Sequence, residues 1–236
     1  MGRAFEYRRA SKEKRWDKMS KVFPKIIKAI TVSVREGGAD PELNPRLRAA
    51  IANAKAENMP KDNVDAAIKR ATSKDAGEFA EIAYEGKGPH GVLIFVECAT
   101  DNTNRTIANL KTCFNKGGGQ IVQTGSLEFL FSRKTVVEFD VPADREMDEI
   151  ELELIDHGLE ELEINDGVAY AYGDYSDFGS LTKAIAGMGI ESRKATLKRI
   201  ANSPIELSEE QIADVEKLID RLEDDDDVQA VYTNIS

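Results

Sequence analysis

Apolar residues recur at every third or fourth position from residue 11 to 73, a helical period that changes to alternation after residue 77. At about 100° per residue, Trp16, Met19, Phe23, Ile26, Ile27, Ile30 and Val34 fall within one arc, and Lys14, Lys18, Lys21, Lys25 and Lys28 gather opposite. One face can therefore pack while the other carries ammonium groups. Pro24 lacks a backbone donor and predicts a kink or a division of this helix. Gly37-Gly38 ends the pattern. Asp40-Pro41 then predicts a helix start, with Asp as cap and Pro in the first turn. That helix runs to about Glu57 and buries Leu47, Ile51 and Ala54. After Asn58-Met-Pro60, Val64, Ala67, Ile68 and Ala71 form the inner face of a third.

Beyond Ser73-Lys-Asp-Ala-Gly77 the spacing predicts strands at 79–85, 91–99 and 127–133, with a helix at 104–116. A second set follows: strand 135–141, helix 145–157, strands 160–164 and 167–172, helix 176–187 and strand 190–200. Helix 208–223 and strand 228–233 close the chain. The second set is a β-α-β-β-α-β unit, the order of ferredoxin-like folds. The elements around it form a further α+β domain that it interrupts. The expectation is an α+β protein of three domains, an all-α helical bundle at 1–77 and two ferredoxin-like α+β domains, one discontinuous at 78–133 plus 205–236 and the other inserted in it at 134–204.

The 236 residues are 41% hydrophobic and 32% charged, enough apolar material for packed cores. No apolar run approaches the roughly 18 residues of a membrane span, and the first residues, Met1-Gly-Arg-Ala-Phe-Glu6, resemble no leader. A cytoplasmic protein without a membrane partner is expected. Cys98 and Cys113 alone provide neither a disulfide framework nor a four-ligand zinc site. His90 and His157 stand apart, outside any metal-ligand spacing. Gly117-Gly-Gly119 follows a helix, where carbonyls point outward, so it terminates the helix and does not cradle phosphate. Thr100-Asp-Asn-Thr-Asn-Arg-Thr106 caps a helix, and its place at a strand end also makes it a candidate contact for a ligand or partner. Asp224-Asp-Asp-Asp227 reads as a solvated turn between helix and strand. No acid–base set suggests an enzyme, and no cofactor is expected.

Charge changes the picture more. The net charge of −11 divides into +8 over residues 1–75 and −19 over the rest. A polyanion would meet the first third. The candidate nucleic-acid-binding residues are Arg8, Arg9, Lys12, Lys14, Arg15, Lys18, Lys21, Lys25 and Lys28, then Arg46, Arg48, Lys55, Lys61, Lys69 and Arg70. Such side chains pair with phosphates and release counterions. Replacing Lys18, Lys21 and Lys25 by Glu is expected to abolish binding without unfolding the chain.

Gly37-Gly-Ala-Asp-Pro-Glu-Leu-Asn-Pro-Arg-Leu-Arg48 and Asn58-Met-Pro-Lys-Asp-Asn63 resemble the YebC/PmpR family, whose mitochondrial relative is the translational activator of cytochrome oxidase. Tyr84-Glu-Gly86, Val96-Glu-Cys98, Thr100-Asp-Asn102, Asn104-Arg-Thr106, Gly125-Ser126 and Asp226-Asp-Val-Gln229 extend the resemblance over essentially the whole chain. The family usually opens Gly-His-Ser-Lys-Trp, whereas residues 2–9 here read Gly-Arg-Ala-Phe-Glu-Tyr-Arg-Arg. The resemblance implies a helical domain followed by two α+β domains. It also implies a nucleic-acid-binding regulator of gene expression, either a DNA-binding transcriptional regulator or a translation factor on ribosomal RNA that relieves stalling at proline runs. A monomer is expected.

Overall fold

A computed structural model describes residues 17–73 and 79–236, with side chains from residue 21 onward in the first helix. The fold is α+β. Three helices come first: α1 (Asp17–Gly37), α2 (Pro45–Ala56) and α3 (Lys61–Ala71). Strands β1 (Ala80–Lys87) and β2 (Leu93–Thr100), helix α4 (Thr103–Lys116) and strand β3 (Gln120–Ile121) follow. The second set is β4 (Phe131–Asp140), α5 (Met147–Ile155), β5 (Leu159–Asn165), β6 (Val168–Asp174), α6 (Phe178–Gly187) and β7 (Ser192–Ala201). Helix α7 (Glu209–Glu223) and strand β8 (Val228–Thr233) complete the chain. Two compact units result, one of 1–29, 75–132 and 200–236, the other of 30–74 and 133–199.

In the first unit the sheet order is β3-β1-β2-β8, every pair antiparallel. Leu110 and Phe114 of α4 and Val215, Leu218, Ile219 and Leu222 of α7 cover one face, over Ile94, Val96 and Val231. Phe95, Leu127, Phe131 and Tyr232 form a smaller cluster on the other side of β2, the two Phe rings 5.8 Å apart. Glu85, 2% exposed, fixes the loop after β3 by accepting the N–H groups of Gly125 (2.6 Å) and Leu127 (2.5 Å). The second unit contains β5-β6-β4-β7, with α5 and α6 on one face around Val137, Phe139, Ile150, Leu154, Leu181 and Ile185. This is the expected ferredoxin-like order. The first sheet has the same layout with its third-place strand, β1, moved to the front of the chain.

Three local expectations change. Pro24 lies inside an unbroken α1. A proline costs a helix one hydrogen bond and some strain, and packing of the apolar face outweighs this where Ile26, Ile30 and Val34 are buried. The second helix starts at Asn44-Pro45, not at Asp40-Pro41. Asn44 accepts from the Leu47 N–H (3.0 Å) and donates to the Ser33 (2.7 Å) and Gly38 (2.8 Å) carbonyls, so three bonds select it, while Asp40 closes a turn onto the Glu42 N–H. Ile51 and Ile68 are half-buried. Finally, no strand spans 127–133: a single 3-10 turn at Glu128–Leu130 leads into β4, which merges the two expected strands. The third strand of the first sheet is only Gln120–Ile121, opposite Lys87 and Gly86.

Gly117-Gly-Gly119 ends α4 as expected, and the reason for glycine is close approach. A Cβ on Gly119 would lie 2.5 Å from the Lys87 carbonyl oxygen, a backbone atom held in β1. Gly119→Ala is therefore expected to lower stability by about 1–3 kcal/mol, the cost of overpacking. A urea melt checks this, and a midpoint equal to wild type would remove the steric argument.

Candidate nucleic-acid interface

The lysine face of α1 follows from its spacing. Lys21, Lys25 and Lys28 lie at i, i+4 and i+7, on one side of the helix. In the first unit they meet the turn after α7. Lys21 Nζ is 2.6 Å from Asp224 Oδ1, and Lys25 Nζ donates to the Glu223 carbonyl at 2.7 Å. Lys28 Nζ donates to the Asp226 carbonyl (2.7 Å) and to Asp227 Oδ1 (2.9 Å). Burial lowers the pKa of Lys25 although Glu223, Asp225, Asp224 and Asp226 pull it upward. The acidic turn therefore does not face only water. It takes up the ammonium groups that α1 would otherwise offer to phosphate.

Asp227 is the centre of this arrangement. Its side chain is 3% exposed, and Arg105 Nη2 (2.7 Å), Thr106 Oγ1 (2.9 Å) and Thr100 Oγ1 (3.1 Å) converge on Oδ2. Burial opposes ionisation of this carboxyl, but hydrogen bonds from Lys28, Arg105 and Thr106 outweigh it and hold its pKa well below the usual carboxylate range. Thr100, Arg105 and Thr106 of the 100–106 segment are thus engaged by Asp227. Asn102 caps α4 through the Arg105 N–H (3.0 Å). Arg105 tolerates the start of a helix because Asp227 and Asp101 (2.8 Å) both pair with it.

The second unit places the remaining described candidates. Arg46 pairs with Glu36, and Lys55 pairs with Glu191 on a fully hydrated surface. Arg48 is half-buried on α2, and Lys61, Lys69 and Arg70 are exposed on α3. These four make no ion pair among the described residues. The buried side of α3 is Val64, Ala67 and Ala71, so its cations face away from the core. The Asn53 side chain joins α2 to β7, donating to the Ala195 carbonyl (3.0 Å) and accepting its N–H (3.2 Å). Sequence reasoning did not select the bases of β7, namely Arg193, Lys194, Lys198 and Arg199. Arg193 pairs with Asp140 at 2.5 Å, and Lys198 lies 3.7 Å from Glu138. A count of bases along the chain stops at residue 75 and misses a strand that returns beside α2. Arg8, Arg9, Lys12, Lys14 and Arg15 lie outside the described residues, as does the side chain of Lys18.

Neither cysteine is poised as a nucleophile: burial pushes the Cys98 thiol up to about 12 and also raises Cys113. Among the described residues no three His, Cys, Asp or Glu side chains converge as a metal site, and no helix is long and apolar enough to cross a membrane.

Residues 3–74 match the TACO1/YebC protein N-terminal domain, and residues 79–235 match the TACO1/YebC second and third domain. The chain is 64% identical to a probable transcriptional regulatory protein of Wolinella succinogenes, with all of both chains covered. It is 62% identical to proteins of the same description in Campylobacter curvus and Helicobacter hepaticus, again end to end. The crystal structure of a conserved hypothetical protein from Aquifex aeolicus superposes with a TM-score of 0.83 at 34% identity, over 94% of this chain and 92% of that one.

Proposed function

The chain belongs to the TACO1/YebC family, and from that premise we propose that it is a cytoplasmic, non-catalytic regulator of gene expression that binds nucleic acid through its helical domain, residues 1–77. The observation that carries this reading is the group of cations that have no ion-pair partner among the described residues, Arg48, Lys61, Lys69 and Arg70, on two helices of one compact unit. Exposed bases on helices suit phosphate contact by charge and counterion release. Lys21, Lys25 and Lys28 contribute indirectly, by fixing α1 on the acidic turn. The relatives' description as probable transcriptional regulatory proteins favours DNA as the target.

A second reading, a translation factor on ribosomal RNA, is favoured by charge. Residues 76–236 carry −19, which long duplex DNA would repel, whereas a folded RNA with bound basic proteins can accommodate both halves. Ultraviolet crosslinking in living cells, with sequencing of the attached DNA and RNA, tests both. Enrichment at promoters with ribosomal RNA at background makes it a transcriptional regulator. Crosslinks concentrated in ribosomal RNA make it a translation factor, and neither would remove the nucleic-acid reading.

A further inference from the structure

Helices α2 and α6 carry four bases and not one Asp or Glu, whereas α5 of the same compact unit carries four acids and no base. The two basic helices lie side by side. Near their N-termini a Cβ on Gly179 would stand 3.3 Å from Pro45 Cγ, so glycine allows α6 to approach α2 closely. Further along, Ala49 of α2 and Ala184 of α6 pack against one core. At the far end Lys55 pairs with Glu191, just beyond α6, and Asn53 holds Ala195 of β7. The helices therefore run in the same direction.

Arg48 follows Pro45, and Lys183 follows Gly179, by close to one helical turn. Arg48 points away from the buried Leu47, Ala50 and Ala54, and Lys183 away from Phe178, Leu181 and Ile185. At about 100° per residue on parallel helices, these two positions fall on the same outer side of the pair. Lys183 is exposed, and neither cation makes an ion pair among the described residues. Glu57, Asp177 and Glu191 stand at the helix ends, and Glu191 is taken up by Lys55. The acidic α5 borders the other flank of α6, where Ser180 Oγ lies 3.4 Å from His157 Nδ1, just past α5. Cations held on packed helices without counter-charges suit the backbone of a polyanion. We infer that nucleic acid gripped by the helical domain continues onto α6, where Lys183 pairs with a backbone phosphate beside the one met by Arg48. Beyond that point α5 repels it, so Lys183 marks the limit of contact. The inference rests on the nucleic-acid reading of α2 and α3.

The test titrates the full chain with labelled duplex DNA and with labelled folded ribosomal RNA at several salt concentrations. Lys183→Gln is expected to lower the slope of log affinity against log salt by about 1, the loss of one phosphate contact. Lys183→Glu adds repulsion and is expected to weaken binding on the order of tenfold with an unchanged circular dichroism melt. Should that melt shift, Lys183→Gln, which keeps a good helix former, makes the same test. Lys111→Glu on α4, an equal reversal on an exposed helix of the first unit, is the control. Salt screens a charge that touches no phosphate, so its affinity should stay within about twofold of wild type. Wild-type affinity and slope in both Lys183 variants, while reversal of Lys61, Lys69 and Arg70 weakens binding, would overturn this inference alone. An equal loss from Lys111→Glu would overturn it as well, by reducing the effect to net charge. No binding of either nucleic acid to the wild-type chain would remove it together with the reading on which it rests.

Discussion

Replacing Asp227 by Ala is expected to lower the unfolding free energy by about 3–5 kcal/mol, the range for removing one partner of a buried ion pair. Asp227 is 3% exposed and faces Lys28, itself 14% exposed, so loss of the carboxylate leaves an ammonium with little water and one counter-charge fewer. Arg105 is 48% exposed and keeps Asp101, so the penalty falls mainly on Lys28. Asp227→Asn retains the shape and is expected to lose most of the same stability. The pH dependence follows from the lowered pKa. A carboxyl whose folded pKa is depressed contributes stability that is full above its ordinary pKa of about 4 and is lost as pH falls through the folded value. The wild-type advantage over Asp227→Asn should therefore be greatest near neutrality and shrink only in strong acid. Urea melts at a series of pH values measure it. A difference below about 1 kcal/mol at neutral pH would place this cluster with ordinary surface pairs.

That cluster also shows where reading the chain residue by residue stops. The elements were legible because each depends on local spacing: β8 begins and ends where alternation begins and ends at 228–233, and α7 begins after Ser208, whose capping box with Gln211 is written in four consecutive residues. The β-α-β-β-α-β layout of the second unit follows from the order of such elements, whereas the third strand of the first sheet, Gln120–Ile121, is too short to show an alternation. What sequence could not show is which charges meet. Lys28 and Asp227 are 199 positions apart, and nothing near Asp227 distinguishes it from Asp224, Asp225 and Asp226, which read equally as a solvated turn. The distinction is made by Thr100, Arg105 and Thr106 arriving from β2 and α4. The same limit applies to Asn44, chosen over Asp40 as a cap because the end of α1 offers it two carbonyls. The amphipathic pattern of α1 was correct in its faces, but its lysine side meets protein. The expectation that Lys18, Lys21 and Lys25 can be reversed without unfolding therefore no longer follows for Lys21 and Lys25, whose replacement by Glu would set acid against Asp224 and the Glu223 carbonyl.

Reversal of Lys61, Lys69 and Arg70 to Glu is the corresponding change that spares the fold. All three are exposed on α3, opposite or beside the buried Val64, Ala67 and Ala71. Glu at position 61 lies in the first turn, where it suits the helix dipole better than Lys. Glu at 69 and 70 lies in the last turn and forgoes a favourable charge of about 0.3–1 kcal/mol each, so the net effect on the melt is small. Binding should respond far more. Each phosphate contact contributes close to one to the slope of log affinity against log salt, so loss of three contacts should lower that slope by about 2–3. Reversal adds repulsion to the loss, and the affinity for nucleic acid at physiological salt is expected to fall on the order of 100-fold or more. Titrations of the full chain with duplex DNA and with folded ribosomal RNA at several salt concentrations measure both quantities. An unchanged affinity and slope on both, with an unchanged melt, would remove α3 from the interface. A fall on one nucleic acid alone would identify the partner that these helices grip.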